Sequence, residues 1–140
     1  MKHPLDRLLR LRSLLEDVSR VELEARLQEL SRIERALEQR NADRKASRVQ
    51  SFAGFAQANN AMWTEAEALH EWSEWEQGIL ERSHRAKLAE VSAAKESYLE
   101  RRKERRQVSS VIEDHAVAAA AEQNHRGQRE LDDWFAQSRR

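Results

Sequence analysis

Apolar residues recur at three- and four-residue steps along most of this chain, and charged residues fill the positions between them. Such a narrow stripe is what a helix shows when it buries one seam and leaves the rest to water. Leu8, Leu11, Leu15 and Val18 form one series, and Leu23, Leu27, Leu30, Glu34 and Leu37 form a second. The step of five from Val18 to Leu23 breaks the heptad, so the supercoil is expected to change pitch there. Beyond Leu37 the stripe fades into Arg40, Arg44, Ala46 and Val49, which leaves the opposing helix to supply most of the apolar surface at that level. Further on, Val91, Ala94, Tyr98, Arg101, Arg105, Val108, Ile112, His115 and Ala119 keep the alternating step, with arginine stems standing in for aliphatic side chains.

Between the two stripes, residues 49–64 carry no charge, in a chain of which 36% is Asp, Glu, Lys or Arg. Gly54 and the Asn59-Asn60 pair are stopping signals, because both residue types accept left-handed backbone geometry. The pattern predicts an all-α fold: a long antiparallel two-helix coiled-coil hairpin with a projecting C-terminal helix. The first helix is expected over about residues 5–53, starting behind Pro4, then a hinge over 54–60 and a second helix over 61–138. The second arm is the longer, so its end is expected to pass the N-terminus unaccompanied.

Composition narrows the function more than the fold. A chain of 140 residues has room for one domain, and 39% hydrophobic residues with three Gly and one Pro suit a thin seam better than a layered core. Basic and acidic residues balance at 25 each, which removes the bulk attraction to nucleic acid and leaves proteins as the expected partners. There is no cysteine, hence no disulfide and no thiolate site. The N-terminal leucines are interrupted by Asp6, Arg7, Arg10 and Arg12, which is not a signal peptide, and no run approaches a membrane span. A cytoplasmic location is the expectation.

Candidate chemistry is sparse. His70, His84, His115 and His125 lack the spacing that places two ligands on one helical face, so no metal is expected. No phosphate loop exists and a bare hairpin offers no pocket, so neither catalysis nor a cofactor is expected. The basic run from Arg101 to Arg106 is interrupted by Glu104 and reads as a solvated face. Leu69, Trp72, Trp75 and Ile79 share a face of the second helix. That face either packs on the first arm between Leu37 and Val49, the reading the spacing favours, or docks a protein, since Trp dominates interface hot spots.

The most specific pattern is C-terminal. Glu122, Asn124, Gln128, Arg129, Leu131, Asp132, Asp133 and Trp134 follow in order a motif close to E-N-R-x-x-Q-K-x-Leu/Met-D-E-Phe/aliphatic-A-Q, and here the chain resembles the flagellar export protein FliJ family. Tyr98, Val108 and Ile112 fit that family upstream. Gly127 and Glu130 depart from it, and the sequence leaves open whether the helix continues through Gly127. The resemblance implies a soluble, mainly monomeric, central-stalk-like coiled coil of the type III export apparatus. It implies a hexameric export ATPase as partner, bound by Gln128, Arg129, Leu131, Asp132, Asp133 and Trp134. The cytoplasmic domain of the export gate and export chaperones are the further partners, with Leu69, Trp72, Trp75 and Ile79 as their surface. Association with the inner membrane would run through proteins only. The alternatives are the stalk protein of an injectisome and a coiled-coil adaptor without an ATPase partner.

Overall fold

In the computed structural model, which describes residues 3–57 and 60–139, two helices account for nearly all of the chain. Helix α1 runs over Asp6–Ala56 and α2 over Asn60–Ser138, and they pack against each other as an all-α hairpin. The start of α1 is capped by His3, whose carbonyl accepts the Asp6 N–H at 3.0 Å and whose Nδ1 accepts the Leu5 N–H at 3.1 Å. Those bonds satisfy donors that a helix leaves open at its N-terminus, and Asp6 adds a negative charge where the dipole favours one.

The first helix continues three residues past its expected end. Gly54 is helical and buried, and its missing side chain admits Met62, whose Cγ lies 3.2 Å from where a Cβ would stand. Its use is close approach of the two helices rather than left-handed backbone geometry. Asn60 opens α2, while Ala58 and Asn59, at the expected hinge, lie outside the described residues.

Packing divides the hairpin into two units, the described residues of 19–97 and those of 1–18 with 98–140. In the hinge unit the partly or fully covered positions of α1 include Leu23, Arg26, Leu30, Ile33, Leu37, Arg40, Arg44, Ser47, Ser51 and Gly54. They face Ala66, His70, Ser73, Gln77, Leu80, His84, Lys87, Val91 and Ala94 on α2, an unbroken three-four alternation on both helices. The helices are antiparallel: Arg26 meets Glu90 at 3.1 Å, Lys87 meets Glu29 at 2.8 Å and Arg40 meets Glu76 at 2.5 Å. The expectation that α2 supplies the apolar surface beyond Leu37 is overturned. At that level Arg40 and Arg44 reach Glu76, Glu74 and Gln77, so a polar layer fills the seam.

In the end unit the covered positions include Leu5 just before α1, Leu8, Arg12 and Leu15 on α1, and Tyr98, Arg101, Arg105, Val108 and Ile112 on α2. Arg12 pairs with Glu104 at 2.7 Å, and Arg105 pairs with Glu16. Leu11 and Val18, expected in the seam, are exposed. So are His115 and Ala119, which lie at and beyond the level of His3, ahead of the start of α1 at Asp6.

Among the described residues Leu30 and Ala66 are the buried apolar side chains, and no large side chain is fully enclosed. The seam is held by partly covered leucines and by ion pairs that span it. Exposed pairs are each worth about 0–1 kcal/mol, so the hairpin rests on many small terms. No helix among the described residues is long and apolar enough to cross a membrane.

Candidate functional site

Two surfaces carry the residues singled out by sequence. The first lies on α2 of the hinge unit. Helical spacing puts Leu69, Trp72, Trp75 and Ile79 on one face, and all four are exposed, with Trp72 and Trp75 at 56% and 57%. The indole rings of Trp72 and Trp75 touch with centroids 5.2 Å apart and planes tilted by 40°. The face does not pack on α1. Ser73, Gln77 and Leu80 occupy the seam, where Arg44 holds Gln77, and Arg40 holds Glu76 at its edge, which leaves the two Trp facing outward. Glu65, Glu67, Glu71 and Glu74 give the same stretch of α2 a strongly acidic character. An aromatic pair with acidic neighbours suits a partner with apolar anchors and basic flanks.

The second surface is the C-terminal stretch of α2. The helix is continuous through Gly127, where a Cβ would meet nothing within 4 Å, and ends at Ser138. From Glu113 to Arg139 every residue but Gly127 is exposed. Leu131, Trp134 and Phe135 stand out of the helix, and the Trp134 and Phe135 rings meet edge-on at 5.2 Å. Arg126 pairs with Glu122 at 2.8 Å, and Gln128 donates to Asp132 at 3.4 Å, both one turn apart. Asp132, Phe135, Ala136 and Arg139 border a shallow depression on this surface. Asp133, Arg129 and Asp132 are open to solvent beside the aromatic pair. Phe135, which the motif match passed over, is the addition: its place directly after Trp134 was visible, but only the ring contact makes the two one apolar unit.

The histidines serve the helix pair. His70 approaches Glu74 at 3.2 Å and His84 approaches Glu34 at 3.3 Å. His115 Nδ1 lies 2.9 Å from His3 Nε2. No group of three or more His, Cys, Asp or Glu able to hold a metal ion exists among the described residues. The carboxyl of Glu29 is held below its ordinary value by the hydrogen bond and charge of Lys87, and Lys87 is raised in turn by Glu29 and Glu90. These shifts belong to an ion-pair cluster of the seam, so they mark structure rather than chemistry.

The fold and the two surfaces define a helical hairpin with exposed aromatic faces. No family model matches the chain, and no curated protein or solved structure does.

Proposed function

We propose that the chain is a stalk-like component of a type III protein export apparatus. In this reading the C-terminal stretch of α2 binds a hexameric export ATPase, through Leu131 and Trp134 with Gln128, Arg129, Asp132 and Asp133 around them. The face of Leu69, Trp72, Trp75 and Ile79 docks the export gate or an export chaperone, at the cytoplasmic side of the inner membrane. One observation carries the reading: the residues that resemble the FliJ motif lie on a continuous helix that has no α1 beside it and shows its apolar side chains to solvent. A helix in that condition can enter a protein ring without first breaking contacts of its own, and Trp with Leu supplies anchors for the ring wall.

The test is the hydrolysis rate of a type III export ATPase with the full chain and with a version ending at Glu122. Stimulation by the full chain that the shorter one loses is the expected result. No stimulation together with no binding overturns the reading.

A second reading has its own observation. Leu11, Leu14 and Val18 lie at helical spacing on α1 of the end unit and are more than half exposed, at 51%, 60% and 56%. A coiled-coil adaptor that pairs through this stripe requires self-association, which sedimentation equilibrium detects. The stalk reading requires mainly monomer.

A further inference from the structure

The end of the hairpin presents apolar side chains in a form different from either surface above. Phe52 is 80% exposed, the highest of the exposed large apolar side chains, and Val49 and Phe55 are nearly as open. Val49, Phe52, Ala53 and Ala56 line a shallow apolar depression on α1 that Arg48 borders. Across the hinge, Trp63 of α2 meets Phe55 with ring centroids 5.8 Å apart and planes tilted by 53°. Five apolar side chains, counting Met62, thus converge within the uncharged residues 49–64.

We propose that this tip inserts into the headgroup region of a lipid bilayer. The absence of charge is the first argument. A protein partner tolerates, and commonly pairs, charges around its contact, whereas the apolar part of a bilayer penalises each one. The uncharged stretch reaches back from the hinge by eight residues on α1, from Ala56 to Arg48, and by five on α2, from Asn60 to Glu65. At the rise of a helix these are about 12 and about 7 Å. Glu67 lies beside Arg48 and Ser51, so the length free of charge on both helices is the shorter one, which falls within the depth of about 5–10 Å to which shallow interfacial segments bury and is far too short to span.

The polar groups of the tip are also prepared for such a place. Both segments are helical, so their backbone bonds are internal except at the two helix ends. The Ser51 hydroxyl donates to the Ser47 carbonyl and the Thr64 hydroxyl to the Asn60 carbonyl, each at 2.9 Å, and the Gln57 N–H donates to the Ala53 carbonyl. Trp63 sits at the edge of the uncharged stretch, the level where indole rings prefer the membrane interface. The Trp72 and Trp75 face is not a second such element, because the glutamates beside it would be driven against lipid phosphates. Around the tip, Lys45 and Arg48 on α1 are balanced by Glu65 and Glu67 on α2. Attraction to anionic lipid therefore contributes little, and apolar burial drives insertion. The inference is independent of the export reading, since it concerns neither the C-terminal stretch nor an ATPase.

The experiment uses the full chain with phosphatidylcholine vesicles. In a background of Trp72→Phe, Trp75→Phe and Trp134→Phe, Trp63 is the sole indole. Its emission is expected to shift to the blue on vesicle addition and to be quenched by lipids brominated near the headgroup end of their chains. The double variant Phe52→Asp, Phe55→Asp is expected to weaken partitioning at least tenfold, with unchanged circular dichroism, and Val49→Lys is expected to weaken it less. Binding is expected to survive high salt. Failure of the full chain to bind these vesicles overturns the proposal. So does binding that needs anionic lipid and is released by salt, or binding that the double variant retains. Self-association through the tip, lost in the double variant without any vesicle binding, would assign the surface to a second copy and overturn it equally.

Discussion

Glu29 and Lys87 show how single residues hold this hairpin. Their ion pair at 2.8 Å is extended by Glu90, 3.0 Å from Lys87, and by Arg26, 3.1 Å from Glu90. Because the folded carboxyl of Glu29 lies below its ordinary 4.5, its contribution is present above that value and is lost as pH falls through the lowered one. Lys87 has the opposite sign: raised above 10.5, it contributes fully below that value and is lost as pH rises through the raised one. The pair therefore stabilises a broad plateau that spans neutral pH. Replacing Lys87 with Met is expected to move the Glu29 titration, followed by carboxyl NMR, upward toward 4.5, and to lower the thermal midpoint at neutral pH while making it fall less on acidification. A Glu29 titration that does not move would mean that the pair is not formed in solution.

At the scale of the element, the sequence showed both helices, their lengths and the break between them, but it resolved the seam unevenly. On α2 the alternation from Val91 to Ile112 stands as read. On α1 leucines occur on more than one face, and the covered set takes Arg12, Ser19, Arg26 and Ile33 in preference to Leu11, Val18, Leu27 and Glu34. Hydrophobicity alone cannot make that choice, because the acidic residues of α2 select the arginines opposite them. The interruption near residue 20 was legible and has a definite form: Leu15, Ser19 and Leu23 are all covered, two successive steps of four, with Ser19 buried between the leucines. Of the site, the exposure of Trp72 and Trp75 was not legible, since helical spacing describes a buried stripe and a docking face equally well. Glycines test the packing. Gly78 has nothing within 4 Å of a Cβ, so Gly78→Ala is expected to stabilise by about 0.5–1 kcal/mol, while Gly54→Ala gains less because Met62 must give way. Gly54→Val is expected to cost about 1–3 kcal/mol by overpacking. Equal gains from the two alanine variants in urea unfolding would mean that Met62 is not held against Gly54.

At the scale of the whole molecule, the decisive contrast is between chain that has a partner helix and chain that has none. Helices that pack together draw stability from the seam, whereas the C-terminal stretch of α2 must hold on propensity and local pairs. Its sequence is suited to that: Ala116 to Ala121 is alanine but for Val117, and alanine has the best helix propensity. The Arg126–Glu122 pair adds a few tenths of a kcal/mol, against which Gly127 costs about 1. Large apolar side chains contribute nothing here, since Leu131, Trp134 and Phe135 rest on no other element. Their exposure leaves them open to a partner without cost to the fold. Leu131→Ala with Trp134→Ala is therefore expected to leave helicity intact and the unfolding free energy within about 0.5 kcal/mol, while weakening whatever contact this stretch makes. A large drop in circular dichroism would instead make these residues structural and remove the case for a docking end.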